Sequence, residues 1–237
     1  MANKLKYTDL FIDFDDTLYD TYGNAVIALS ETYEEFRLES YFSRPQVFYD
    51  AYWAANIDLW GRYSRGEIDR PYLIVERFRR PLSVVRGIDI TEQLCLEMSD
   101  KFLYFCSSKP GVVKGAHELM DYLKGKGYRI HMCSNGFHEV QYKKLQSCGL
   151  YGMFDTIILS EDAGANKPSE QFFDYAFEVS KAPKASTLMI GDNFNTDILG
   201  AKQAGLDTAF FNRFPDYPAP EPVTFEVTSL HQLMEIL

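Results

Sequence analysis

The fold of this chain is restricted most by a regular alternation of short apolar runs with amphipathic stretches. Strand-like runs fall at Asp9–Phe14, Arg129–Cys133, Thr156–Leu159, Thr187–Ile190 and Thr208–Phe211, with a weaker one near Phe225. Helical periodicity fills the intervals Lys114–Lys124, His138–Ser147, Glu170–Ser180 and Asp197–Ala204. Unbroken apolar runs suit strands covered on both faces, which points to β-α-β units with right-handed crossovers. The sequence therefore predicts an α/β fold built on a parallel sheet.

The segment from about Tyr19 to Cys106 breaks this pattern. It has no convincing strand, holds both tryptophans, and shows helical periodicity punctuated by Pro45, Gly66, Pro71, Pro81 and Gly87. The expected division is a core of residues 1–18 and 107–237 with an all-helical insertion at 19–106. An insertion directly after the first strand of such a sheet is expected over its carboxyl edge, where these folds bind ligands, so it reads as a lid. The proline-rich stretch Pro215–Pro222 reads as an ordered surface loop before the last strand.

At 237 residues the chain can bury one sizeable core with a smaller second domain. Its net charge of −10 argues against nucleic acid polymers and anionic membranes as partners. An anionic substrate would need a locally positive pocket made from a metal, a lysine or helix N-termini. Cys95, Cys106, Cys133 and Cys148 have no CxxC spacing. With neither a secretory h-region nor a bilayer-length apolar stretch, a reduced, cytoplasmic setting is expected.

Four motifs carry chemistry. Asp13-Phe14-Asp15-Asp16-Thr17 follows the apolar run Leu10-Phe11-Ile12. Carboxylates crowded at a strand end are costly unless a cation or a reaction needs them. In an extended chain Asp13 and Asp15 project to the same side, so one can bind a metal or attack while the other moves protons. Ser134-Asn135-Gly136 closes a second strand and reads either as a plain turn or as an anion-binding loop. Lys167-Pro168 offers an ammonium whose backbone the proline restricts, although a lone lysine is ordinarily a surface group. Gly191-Asp192-Asn193-Phe194-Asn195-Thr196-Asp197 delivers Asp192 to a strand end, and Asp197 is placed to begin, and to cap, the next helix.

With these residues in this order, the chain resembles the haloacid dehalogenase-like hydrolase superfamily, in its phosphatase branch, over essentially its full length. The resemblance implies a Rossmann-like core with a helical cap. Asp16 departs from the glycine that many members carry there. Ser134-Asn135-Gly136-Phe137, Ser160-Glu161-Asp162, Phe172-Phe173-Asp174-Tyr175-Ala176 and Asp197-Ile198-Leu199-Gly200 bring it nearest to bacterial pyrimidine 5′-nucleotidases, as do Leu59-Trp60, Tyr63, Gly66-Glu67-Ile68 and Arg77-Phe78 in the cap.

What the resemblance implies is a phosphatase acting through an aspartyl-phosphate. Asp13 would be the nucleophile, and Asp15 the acid and then the base. Mg2+ would be held by the Asp13 and Asp192 side chains and the Asp15 backbone carbonyl. Ser134, the Asn135 backbone N–H and Lys167 would bind phosphate oxygens. Thr17 would stand just behind the metal ligands, and Asp197 would orient Lys167 or a coordinated water. The substrate would be a small phosphorylated metabolite, best a nucleoside 5′-monophosphate, handled by a monomer or dimer. A sugar-phosphate or phosphoglycolate phosphatase and a phosphomutase remain alternatives.

Other readings fare worse. An EF-hand would need glycine and glutamate where the chain has Leu18 and Asn24. A 2-haloacid dehalogenase would not need an acid/base partner at Asp15. A non-catalytic module would not be expected to keep every motif. In the cap, Trp53, Ile57 and Trp60 share a helical face and read as bundle core. The alternative sets Trp60 or Tyr63 against a nucleobase.

Overall fold

A computed structural model describes residues 6–214 and 216–237. Strand β1 (Asp9–Ile12) leads into helices α1 (Thr21–Glu35), α2 (Pro45–Ser64), α3 (Arg70–Leu82) and α4 (Glu92–Ser107). Helices and strands then alternate: α5 (Ala116–Lys126), β2 (Arg129–Ser134), α6 (His138–Ser147), β3 (Thr156–Leu159), α7 (Ser160–Ala163), α8 (Glu170–Ser180), β4 (Thr187–Gly191) and α9 (Leu199–Gln203). Strands β5 (Asp207–Phe211) and β6 (Phe225–Val227) and helix α10 (Leu230–Ile236) complete the chain. Among the described residues, no helix is long and apolar enough to cross a membrane.

The chain divides into two compact units, residues 1–21 with 110–237, and residues 22–109. The crossings lie three residues beyond the expected 18/19 and 106/107. Local pairing accounts for this: Tyr19 bridges to Val112, and the Thr21 hydroxyl donates to Asp15, which keeps both with the sheet. At the other crossing, Lys109 pairs with Glu31 of α1 at 2.6 Å.

The first unit is the expected α/β core. All its strands run parallel in one six-stranded sheet, ordered β3-β2-β1-β4-β5-β6. Leu10 of β1 lies opposite Ile130 of β2 and Leu188 of β4. Every residue of β1 is buried, and successive side chains enter different layers. Leu10 and Ile12 join the apolar cluster containing Leu119, Met120 and Leu230, while Phe11 joins Cys133, Phe172, Phe173 and Met189. That two-sided burial explains why the strands read as unbroken apolar runs. The order also makes β2, β1 and β4 neighbours, so the residues leaving their carboxyl ends are gathered together.

Strand β1 ends two residues before the expected Phe14. The Phe14 carbonyl turns to accept from the amides of Leu18 and Tyr19, closing a tight loop. Within that loop Asp16 has φ of +60°, the left-handed region that glycine enters most cheaply. The departure from glycine at this position is therefore also a backbone matter, and the Asp16 side chain pairs with Arg213 at 2.5 Å. Of the proline-rich stretch, Pro215 lies outside the described residues.

The second unit is helical throughout. Helix α3 begins where Asp69 accepts from the Tyr72 amide, and α4 where Thr91 accepts from the Leu94 amide. The core face of α2 is Phe48, Tyr52, Ala55 and Leu59, at helical spacing. Tyr52 packs on Phe78 of α3 and Phe102 of α4, with ring centroids 5.4 and 5.2 Å apart. The expected core face of Trp53, Ile57 and Trp60 is not the buried one. Ile57 is 71% exposed and both tryptophans are only half-buried. The two stripes differ by a single position, and the phenylalanines of α3 and α4 select the other one.

Candidate active site

Asp13 is the first residue beyond β1, and its amide still donates to the Ile190 carbonyl of β4 at 2.9 Å. The carboxylate is buried against Lys167, whose Nζ donates to Asp13 Oδ1 at 2.6 Å. The same ammonium donates to Asp197 Oδ1 and to the Cys133 carbonyl, each at 2.7 Å. Its three protons are thus all committed, and a substrate oxygen at Lys167 must replace one of these partners. Lys167 is 1% exposed, far from the surface lysine that isolated sequence context suggests. The peptide bond between Lys167 and Pro168 is cis.

Two further contacts join separate motifs. The Thr17 hydroxyl donates to Asp192 Oδ1 at 2.8 Å and accepts from the Asp192 amide at 3.1 Å, tying the loop after β1 to the end of β4. The Asn135 side chain donates to the Lys167 carbonyl at 3.0 Å and accepts from the Lys167 amide at 2.8 Å. Asn193, not Asp197, caps the following turn, accepting from the amides of Asn195 and Thr196. Asp197 sits inside that turn, a π-helical one over Phe194–Ile198, with Oδ2 accepting from the Asn193 amide. A Cβ on Gly191 would come within 2.3 Å of Asp197 Oδ2, so glycine there lets the Asp197 carboxylate pass close to the strand.

Asp15 occupies a different environment. Its Oδ1 accepts from the Thr21 hydroxyl at 2.5 Å and from the ammonium of Lys144. Its Oδ2 accepts from the Gln141 side-chain amide and, at 3.4 Å, from the Ser134 hydroxyl. Ser134 Oγ in turn accepts from the Gly136 amide and the Gln141 amide group, both at 3.0 Å. Gln141 and Lys144 are buried on α6, and neither stands out in the sequence. The available signal was a glutamine and a lysine three apart on one helical face, directly after Ser134-Asn135-Gly136.

The electrostatics separate the two acids of the first motif. Burial drives the Asp13 carboxyl well above its usual range; Lys167 opposes this, and the charges of Asp197, Asp192 and Asp15 add to it. Burial and the neighbouring Asp197 push Asp192 up to about 7, with the Thr17 hydrogen bond pulling the other way. For Lys167, burial works against the charge, but Asp13 and Asp197 outweigh it and hold the ammonium above its ordinary value. Burial would also raise Asp15, yet the Lys144 charge and the hydrogen bonds from Lys144, Thr21 and Gln141 prevail, and the carboxyl lies below its usual range.

The carboxylates of Asp13, Asp192 and Asp197 each bring an oxygen within 4.8 Å of the others. Asp13 Oδ2 and Asp192 Oδ2 accept no hydrogen bond among the described residues, whereas Asp197 Oδ1 accepts from Lys167 and Thr196 and its Oδ2 from Asn193. Three crowded acids with one lysine call for further positive charge, and the open oxygens are hard ligands of the kind Mg2+ takes. The donor set fits a Mg2+ site on Asp13 and Asp192. The Asp15 side chain points to Lys144 and leaves only its backbone to contribute. Trp60 and Tyr63 lie in the helical unit, half-buried, with their rings edge to face at 5.6 Å.

Comparison with known proteins finds relatives over nearly the whole chain. Pyrimidine 5′-nucleotidase YjjG of Escherichia coli is 32% identical over 98% of this chain and 99% of its own. Pyrimidine 5′-nucleotidase PynA of Streptococcus pneumoniae is 27% identical over 98% of this chain and 95% of its own. The crystal structure of the HAD-hydrolase YfnB of Bacillus subtilis bound to magnesium matches at 30% identity with a TM-score of 0.86, covering 98% of this chain and 99% of that one. The haloacid dehalogenase-like hydrolase family model matches residues 10–205, a span that contains all four motifs, and the chain belongs to that family.

Proposed function

We propose that this hydrolase is a Mg2+-dependent phosphatase that cleaves a small phosphomonoester through an aspartyl-phosphate, with a nucleoside 5′-monophosphate as the substrate. The observation that carries the reading is the division of labour between Asp13 and Asp15. One is held at Lys167 beside Asp192, and the other is gripped separately by Lys144 and Gln141. The names of YjjG and PynA support the substrate class, and the magnesium in the YfnB structure supports the metal.

One oxygen of the Asp13 carboxylate attacks phosphorus while the ester oxygen departs. Asp15 delivers a proton to that oxygen. Water then attacks the phosphorus of the aspartyl-phosphate, Asp15 takes its proton, and Asp13 is released with inorganic phosphate. The resting Asp15 carboxylate must gain its proton before the first displacement, which the negative charge of an incoming phosphate favours. Lys167, Ser134 and the Asn135 backbone N–H face the non-bridging oxygens, and Asp197 keeps Lys167 in line. Held by Asp13 and Asp192 side chains and the Asp15 carbonyl, Mg2+ would supply the positive charge that lets an anionic nucleophile meet an anionic ester. Trp60 and Tyr63 are the cap residues we assign to the base.

Asp13→Asn should lower turnover at least ~1,000-fold with Mg2+ present, and retained activity in the purified variant would rule out the nucleophile. Asp15→Asn should slow leaving-group release far more for alkyl than for aryl phosphates, and equal losses would rule out its acid role. A parallel screen of nucleoside monophosphates, sugar phosphates and phosphoglycolate tests the substrate. A wide margin for either of the latter would overturn the nucleotidase reading.

A further inference from the structure

Helix α6 carries two buried polar side chains that the reaction as written does not use. Lys144 is 6% exposed and Gln141 is fully buried, and both turn onto the Asp15 carboxylate. They take different oxygens: Lys144 binds Oδ1 and Gln141 binds Oδ2. Two donors on opposite oxygens fix the carboxylate plane as well as its position, which a single contact cannot do. Lys144 is also held from a second side, with its ammonium 5.2 Å from the Tyr19 ring centroid. Gln141 has its place because Gly136 lacks a side chain; a Cβ there would lie 1.6 Å from Gln141 Nε2.

A buried lysine or glutamine placed only for stability would be expected to have its polar atoms satisfied. Gln141 Oε1 is instead buried without a hydrogen-bond partner among the described residues. The amide is oriented for Asp15 and Ser134, at the expense of its own carbonyl. That orientation suits a task at Asp15 better than a task in the core.

We infer that Lys144 and Gln141 are positioning residues that hold the Asp15 carboxyl in the orientation from which it serves the leaving-group oxygen. This rests on the phosphatase reading, with Asp15 as the acid. The consequence is specific: removing the grip should impair reactions that depend on proton delivery and spare those that do not. General acid catalysis typically contributes ~100- to 10,000-fold, which bounds the effect.

The test is single-turnover leaving-group release with saturating Mg2+, comparing an alkyl ester such as uridine 5′-monophosphate with p-nitrophenyl phosphate. Lys144→Met should slow release from the alkyl ester by at least ~30-fold and from the aryl ester by less than ~3-fold, with KM for both within about 3-fold. Lys144→Arg, which keeps a cation, should recover at least ~5-fold of the alkyl loss. Gln141→Leu, which keeps the bulk, should show the same selectivity at smaller amplitude, and it carries the test if Lys144→Met does not fold.

Equal losses on the two esters, or no loss on either, would overturn the inference. Asp15→Asn run alongside separates the two levels of the argument. If Asp15→Asn discriminates between the esters and the α6 variants do not, the positioning role alone falls. If Asp15→Asn does not discriminate, the acid role falls and the positioning role falls with it.

Discussion

Gly136 shows how much of the site is decided by one missing side chain. The notional Cβ meets Gln141 at Nε2, Cδ and Cγ, the nearest at 1.6 Å, so Gly136→Ala must expel the Gln141 side chain. Overpacking of this kind costs about 1–3 kcal/mol in a rigid setting. In a Gln141→Ala background the same change should cost less than ~0.5 kcal/mol, because the space is then empty. Urea denaturation of the four proteins in that cycle measures the difference, and an equal cost in both backgrounds would contradict the steric account. At this scale the sequence is an uneven guide. Asp13, Asp192 and Lys167 were legible because each follows a strand-like run and belongs to a local motif. Gln141 and Lys144 were not, because their partner Asp15 is 126 and 129 positions away and no local pattern records that distance.

Among the elements, the strands were read well because burial on both faces leaves an uninterrupted apolar signature. Those of β3 match to the residue, and the helices α6 and α8 match as well. Errors fell where side chains, not hydrophobicity, set the boundary. Asn193 rather than Asp197 caps the turn after β4, and the aromatic rings of α3 and α4 decide which face of α2 is buried. The pairing of β1 with β2 also makes a pH-sensitive contact. His131 Nε2 lies 3.0 Å from Asp9 Oδ1, while its Nδ1 is buried without a partner among the described residues. Burial holds this imidazole below its ordinary value, against the pull of Asp9 and Asp155 and with the help of Arg129. Unfolded chains bind this proton near pH ~6.5, before the folded protein does, so stability is unaffected above that pH and lost as pH falls below it. Between about pH 7.5 and about pH 5.5 the wild type should lose ~1 kcal/mol more than His131→Asn in chemical denaturation. Parallel curves for the two proteins would refute this.

For the whole molecule, with a net charge of −10 and a cluster of Asp13, Asp192 and Asp197, the divalent cation we propose for the site would be a folding ligand as well as a reactant's partner. A cation that binds only the folded state adds about 2.7 kcal/mol at 100-fold excess over its Kd. Such a gain corresponds to a rise of roughly 5–10 °C in the melting temperature of a domain this size. The rise should appear with Mg2+, reverse with chelator and be absent in Asp192→Asn. A rise of the same size in that variant would place the ion elsewhere.

The reciprocal bonds between Asn135 and Lys167 carry one more consequence. A side-chain amide that gives to a carbonyl and takes from the same residue's N–H copies what a neighbouring strand would do. The sheet is in effect extended by one rung made from a side chain, beyond where its strands have ended. The loop after β2 and the lysine are therefore splinted to each other. Asp15 is gripped from α6 by Lys144 and Gln141, and Ser134 is the hinge pin at which that grip joins the splint.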